Sequence, residues 1–222
     1  RPMNTSCHQL LTGAGAAARE AGRYALVHGG RRGEVAETRR HDVKLKLDRE
    51  CQEIAEAFIR AHFPTYDIMG EEDATEAPVP AASEFRWIID PIDGTVNFSH
   101  GLPHWCCSIA VERRGTIVAG AVYAPVTDEL YTASLEQAAQ CNGAALHVST
   151  VTSLDRALVL TGVDKDGAPG QPPFERFLRI TDRVQRSRIM GCAALDICHV
   201  AAGRADAYFE SGIYTWDMAA AA

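Results

Sequence analysis

The stretch Phe85-Arg86-Trp87-Ile88-Ile89 running into Asp90-Pro91-Ile92-Asp93-Gly94-Thr95 constrains this chain more than any other. Its aromatic and β-branched residues suit a buried strand better than a helix. A strand of that kind does not end in two acids for packing reasons, and strand ends are where layered α/β folds hold ligands. Pro91 cannot donate to a ladder and stiffens the bend, so the strand is expected to stop at Asp90 with both carboxylates on one rigid turn. Gly94 permits a backbone that presents successive N–H groups, which with the Thr95 hydroxyl make a nest for phosphate. Acids beside an anion cradle require a divalent cation between them. Oxygen-only donors, with no His or Cys inside the motif, point to Mg²⁺.

Such a motif has two other uses. Asp90 and Asp93 could simply cap a helix and shape a turn. Phosphatases of the haloacid dehalogenase type use D-x-D-G-T with a covalent Asp nucleophile. The spacing here is one residue longer and contains a proline, which redirects the second acid and favours attack by water. An EF-hand loop is excluded because its D-x-D-x-D-G spacing is absent.

Around the motif, Leu10, Ala14, Ala17, Ala21 and Ala25 recur at helical spacing and predict a helix over 10–27 that stops near Gly29-Gly30. A charged loop and a second helix over 48–62, closed by Pro64, come next. A short strand over 66–69 delivers Gly70-Glu71-Glu72, and a Pro- and Ala-rich loop spans 74–83. Strands are expected over 107–112, 116–123 and 130–133, and Asn142-Gly143 is the strongest hairpin signal. Beyond it strands (157–163, 188–190, 207–210) alternate with helices (174–184, 193–202), the pattern of α/β layering. We place a soft boundary near residue 150, giving an N-terminal α+β half (1–150) that holds metal and phosphate and a C-terminal α/β half (151–222).

A net charge of -7 over 222 residues excludes a nucleic-acid groove. The one basic cluster, Arg31-Arg32 with Arg39-Arg40, is short, contains Glu34 and Glu37, and reads as a solvated loop. Seven cysteines without a C-x-x-C pair suit neither a disulfide framework nor a zinc site and imply a reducing, cytoplasmic compartment. No run approaches the roughly 18 apolar residues of a membrane span, so a soluble protein is expected. His100 and His104 have Gly101 and Pro103 between them, which breaks any helical pairing; they read as structural. Cys106 and Cys107 read as small core residues, and Trp216 as packing beside Asp217.

Taken in order, Gly70-Glu71-Glu72, Asp90-Pro-Ile-Asp-Gly-Thr95 with Val96-Asn97-Phe98 and His100-Gly-Leu-Pro103, Gly191-Cys-Ala-Ala194, Tyr208-Phe-Glu210 and Trp216-Asp217 resemble the inositol monophosphatases over nearly the whole chain. The resemblance implies a layered α-β-α-β-α sandwich, a homodimer, and hydrolysis of a small phosphate ester with two or three Mg²⁺ and lithium sensitivity. It implies that Glu71, Asp90 and the Ile92 carbonyl hold one metal, and that Asp90, Asp93 and Asp217 hold another. Thr95, oriented by Asp48 and close to Glu71, would position and deprotonate the attacking water. The Gly94 and Thr95 amides would receive the phosphate; Asp93, Gly191, Ala193 and Glu210 would contact the sugar or cyclitol. Inositol 1-phosphate is the expected substrate. The alternatives are fructose 1,6-bisphosphate, histidinol phosphate and 3'-phosphoadenosine 5'-phosphate, or a non-catalytic member that binds metal or a partner.

The sequence departs from the family pattern twice. Where the family carries a Thr shortly before the residue matching Asp48, the segment from Asp42 reads Asp-Val-Lys-Leu-Lys-Leu-Asp48. The family also continues beyond the Trp-Asp pair through a further helix and strands, so either the sequence omits part of the native chain or its C-terminal half is shortened.

Overall fold

A computed structural model describes residues 5–38, 43–73, 83–163 and 172–222. Arg39, Arg40, Asp42 and nearly all of the Pro- and Ala-rich loop lie outside the described residues.

Helix α1 (Cys7–Val27) starts three residues earlier than its apolar periodicity suggests. Ser6 accepts the Gln9 N–H while the Gln9 side chain accepts the Ser6 N–H, a reciprocal cap that satisfies two donors otherwise left open at a helix start. Its Ala14, Ala17, Ala18, Ala21 and Ala25 are fully buried. The small residues let the helix sit close to its neighbours: a methyl at Gly13 would come within 2.6 Å of the Phe63 ring. The supposed charged loop contains a short antiparallel pair, β1 (Val35–Thr38) with β2 (Val43–Leu45). It was illegible because all four β1 residues are exposed, so no buried face imposes a period-two pattern. Arg31, at the start of the loop, pairs with Glu34 and with Glu50 at 3.0 and 2.7 Å, so its charge is met by two carboxylates.

Helix α2 (Lys46–His62) begins directly after β2. The chain then forms β3 (Asp67–Gly70), β4 (Phe85–Asp93), the short helix α3 (Thr95–His100), β5 (Cys106–Arg113), β6 (Thr116–Ala124), β7 (Glu129–Ser134), β8 (Gln137–Cys141) and β9 (Ala144–Ala145). Strands β3 to β9 make a seven-stranded sheet in sequence order, antiparallel except for the parallel β3–β4 pair. Asn142 and Gly143 have φ of 49° and 82°, the left-handed pair that a tight β8–β9 turn requires.

One expectation is corrected. The β4 strand does not end at Asp90 but runs through Pro91 to Asp93. Pairing slips between Asp90, opposite Ser108, and Asp93, opposite Cys106. Pro91 sits in this irregularity, where no ladder N–H is demanded of it.

The second half supplies β10 (Leu158–Thr161), α4 (Pro172–Thr181), β11 (Arg186–Ile189), α5 (Ala193–Ala201), β12 (Ala207–Phe209) and α6 (Thr215–Met218). Its three strands form a parallel sheet in the order β11-β10-β12. Because the chain steps one way through α4 and back the other way through α5, right-handed crossovers place these helices on opposite faces. Helix α5 touches β5 and β6 of the large sheet and β10 and β12 of the small one, so it lies between them. The layers are therefore α1 with α2, the large sheet, α5 with α6, the small sheet, and α4.

Strand β4 is buried on both faces. Phe85, Trp87 and Ile89 face the cluster under α1 and α2, while Ile88 joins Ala110 and Ala219 on the other side. Each fully buried large side chain of this strand contributes about 1.5–3 kcal/mol, which anchors the strand that carries the acids. Among the described residues no helix is long and apolar enough to cross a membrane.

Candidate active site

Four carboxylates converge at the end of β4. Asp90 and Asp93 come from that strand, 1% and 8% exposed. Glu71 follows β3, the parallel neighbour of β4, in a single turn of 3-10 helix. Asp217 lies in α6, which packs against β4 and β5.

Their electrostatics record the crowding. Burial raises Asp90 well above the usual carboxylate range, and the charges of Glu71, Asp93 and Asp217 add to that. Asp93 is pushed up to about 7 by burial, against hydrogen bonds from Cys192 and Ala194 that favour its charged form. Asp217 is likewise pushed up to about 7 by burial, with Asp93 and Glu71 as charged neighbours, while the Tyr214 N–H pulls the other way. Burial raises Glu71 too, although Lys44 opposes it. Like charges placed this close raise one another's pKa unless a cation intervenes.

Each acid is fixed from one side. Asp93 Oδ2 accepts the Ala194 N–H at 2.7 Å and the Cys192 thiol at 3.1 Å, which ties it to the start of α5. Asp217 Oδ2 accepts the Tyr214 N–H at 2.7 Å and so caps its own helix. Glu71 and Asp90 stand close enough for each to shift the other's ionisation. Asp90 Oδ1 is buried with no partner among the described residues. An orphaned, fully buried carboxylate oxygen among three further acids fits a hard divalent cation with oxygen ligands. Thus the residues present fit Mg²⁺, with Glu71, Asp90, Asp93, Asp217 and the Ile92 carbonyl as the candidate donors.

Gly94 has φ 88° and precedes α3. Its carbonyl accepts the Phe98 N–H, and the Thr95 hydroxyl donates to the Ile92 carbonyl at 2.8 Å. The first amides of α3 thus open beside the acids, unclaimed by the helix itself. Asn97 stitches this helix to the second half: its side-chain amide donates to the His104 and Met190 carbonyls, both at 2.8 Å. Gly191 and Ala193 therefore lie next to the motif although about a hundred residues separate them in sequence. Glu210 is reached by the Tyr208 hydroxyl and packs over Gly162, where any added Cβ would collide with it.

Asp48 differs from its expected role. Its Oδ2 accepts the Leu45 N–H at 2.6 Å and starts α2, its Oδ1 has no partner among the described residues, and the Thr95 hydroxyl is turned to Ile92 instead. Leu45 stands where a Thr could have capped the helix and oriented Asp48; it has no side-chain acceptor. Burial, with Glu72 and Glu71 adding to it, pushes Asp48 up to about 8 despite the Leu45 N–H.

Sequence reasoning missed Lys44. Its Nζ lies 2.6 Å from Glu71 and 2.5 Å from Glu72. Burial opposes its charge, but the two carboxylates outweigh burial and raise its pKa. The only signal is a lysine between the apolar Val43 and Leu45 just before α2. His104 and Cys106 read from the sequence only as structural, yet Cys106 lies 3.6 Å from Cys192, which itself touches Asp93.

A sequence profile of the inositol monophosphatase family matches residues 6–222. The chain belongs to the inositol monophosphatase family. It is 39% identical to an inositol-1-monophosphatase of Rhizobium meliloti over 180 residues, 81% of this chain and 67% of that one. It is 38% identical to the Nus factor SuhB of Pseudomonas aeruginosa over 184 residues, 82% and 68% of the two chains. The inositol monophosphatase of Anabaena superposes with a TM-score of 0.85 at 32% identity, covering 98% of this chain and 80% of that structure. This family of phosphatases accounts for the mixed α/β fold.

Proposed function

We propose that the chain hydrolyses a small polyol phosphate monoester, inositol 1-phosphate foremost, with Mg²⁺ held by Glu71, Asp90, Asp93, Asp217 and the Ile92 carbonyl. The observation that carries this reading is the orphaned, buried Asp90 oxygen surrounded by three acids of raised pKa. When bound, Mg²⁺ supplies charge neutralisation and Lewis-acid polarisation for phosphoryl transfer to water.

The chain's own residues do the rest. The Gly94 turn and the open amides of α3 orient the phosphate. Thr95, held to the Ile92 carbonyl, presents its hydroxyl oxygen as an acceptor toward the attacking water. Asp93 is kept in place by the Ala194 amide, so the start of α5 and the acid cluster move as one. Glu210 supplies a carboxylate acceptor for polyol hydroxyls, braced by Tyr208. Lys44 keeps Glu71 and Glu72 from repelling each other, and a homodimer follows from the family resemblance.

The test is phosphate release from inositol 1-phosphate with and without Mg²⁺, in the parent and in Asp93→Asn, beside a panel containing the three alternative esters. Mg²⁺-dependent release that the variant loses supports the reading. Turnover of another ester alone would move the substrate, and no turnover of any would sink the catalytic proposal.

A further inference from the structure

Outside the acid cluster, α5 carries Asp196 and His199 three residues apart, on one face of the helix, and His104 reaches them from the segment before β5. That i, i+3 carboxylate–imidazole pair is the spacing by which helices chelate metal ions. The His104 Nε2 lies 2.8 Å from Asp196 Oδ1. One ligand atom from each of the three residues lies within 4.8 Å of the others. The two imidazoles face each other with centroids 5.5 Å apart and planes 58° apart, an arrangement in which both can turn a nitrogen toward one point.

The surroundings make this more than a chance meeting of side chains. Asp196 is 1% exposed, and His104 and His199 are half-buried, so the three donors line a recess rather than a solvated face. The backbone of His104 is pinned through its carbonyl by Asn97. Asp196 is fixed at the start of α5, where its own N–H donates to the Cys192 carbonyl. His104 and Asp196 satisfy each other, but the His199 ring has no hydrogen-bond partner among the described residues. Burial pushes His199 down to about 4, with the nearby His104 and Arg204 adding to it, so its ring is neutral and keeps a lone pair near neutral pH.

We propose that His104, Asp196 and His199 form a second metal site, separate from the acid cluster, that binds Zn²⁺ with solvent as the fourth ligand. Two imidazoles and one carboxylate suit zinc, whereas Mg²⁺ keeps to oxygen donors. Zn–N bonds of about 2.1 Å set a tetrahedral edge of about 3.4 Å, so separations of up to 4.8 Å close by little more than an ångström, while His104 Nε2 and Asp196 Oδ1, 2.8 Å apart, open to admit the ion. The ion would join the start of β5 to α5, the helix whose first turn fixes Asp93 through Ala194. It would therefore brace the catalytic acids from behind without touching substrate.

The full chain, stripped with chelator and then saturated with Mg²⁺, is titrated with Zn²⁺ by calorimetry, and Co²⁺ is used as a visible-spectrum probe. One Zn²⁺ per chain and intense visible Co²⁺ bands are expected in the parent. Asp196→Asn and His199→Leu should each weaken Zn²⁺ at least tenfold and remove the Co²⁺ bands, while Cys106→Ser leaves both unchanged. His199→Leu keeps an apolar side chain of similar size, so it remains informative if a polar variant at Asp196 fails to fold. Absence of Zn²⁺ binding in the Mg²⁺-saturated parent would overturn the site. Equal binding in His199→Leu, or loss in Cys106→Ser, would overturn it equally, the latter by placing the ion among Asp93, Cys106 and Cys192.

Discussion

The Lys44 ammonium lies 2.6 Å from Oε1 of Glu71 and bridges it to Glu72. The acid cluster thus carries its own cation. A lysine there competes with a divalent ion for Glu71 while stabilising the chain that has no ion. Lys44→Met should destabilise the metal-free protein by about 1–3 kcal/mol, since removing one partner of a largely buried pair leaves charge uncompensated. It should also lower the Mg²⁺ concentration needed for half-maximal activity severalfold. Thermal unfolding without Mg²⁺ reads the first effect and phosphate release titrated with Mg²⁺ the second; a higher Mg²⁺ requirement in the variant would show that Lys44 orders Glu71 for the metal instead.

Asp93→Asn relieves repulsion among four acids and keeps an oxygen able to accept the Ala194 N–H. The metal-free variant should be at least as stable as the parent, yet Mg²⁺ should no longer raise its unfolding temperature, and phosphatase activity should fall by a factor of about 100 or more. Scanning calorimetry of both proteins, with chelator and with Mg²⁺, checks this. A metal-free variant less stable than the parent would mean that Asp93 serves packing more than metal binding.

The lessons for reading sequence are local. Helix α1 is legible because its buried face repeats at three and four residues, and the hairpin at Asn142-Gly143 because its turn demands positive φ. The continuation of β4 through Pro91 was not, because a strand irregularity exempts a proline from the ladder and leaves no compositional trace. Glu71, Asp90, Asp93 and Asp217 could be picked out by motif, but the contact of Lys44 with Glu71, 27 residues apart, depends on how β2 is set against β3. The His104, Asp196 and His199 group was invisible for the same reason. It exists only once α5 is laid against the large sheet.

Gly162 is a test of Glu210. A Cβ at that position would stand within 2.2 Å of the Glu210 carboxyl carbon and both its oxygens, so alanine must displace the side chain. If Glu210 accepts hydrogen bonds from polyol hydroxyls, Gly162→Ala should raise KM for inositol 1-phosphate about tenfold and leave kcat within about threefold, the pattern of lost ground-state binding. Steady-state kinetics, with circular dichroism to verify folding, decide it. A fall in kcat at constant KM would place Glu210 outside substrate binding.

Glu129 of β7 and Arg204, just after α5, hold the large sheet to the second half through two hydrogen bonds, one of them 3.0 Å long, and the Tyr131 hydroxyl lies 2.8 Å from the same guanidinium. The Arg204 hydrogen bonds hold Glu129 down at about 2, well below its ordinary 4.5, with burial opposing. A carboxylate whose pKa is lower folded than unfolded adds stability above the unfolded value and loses it as pH falls toward the folded one. The pair should therefore be worth about 1–3 kcal/mol at pH 7, fading between about pH 4.5 and pH 2. Urea unfolding of the parent and Glu129→Gln across that range checks it: the difference in stability should shrink as acid is added. A difference that persists undiminished at the acid end would assign the effect of the substitution to packing around Tyr131 rather than to the charge on Glu129.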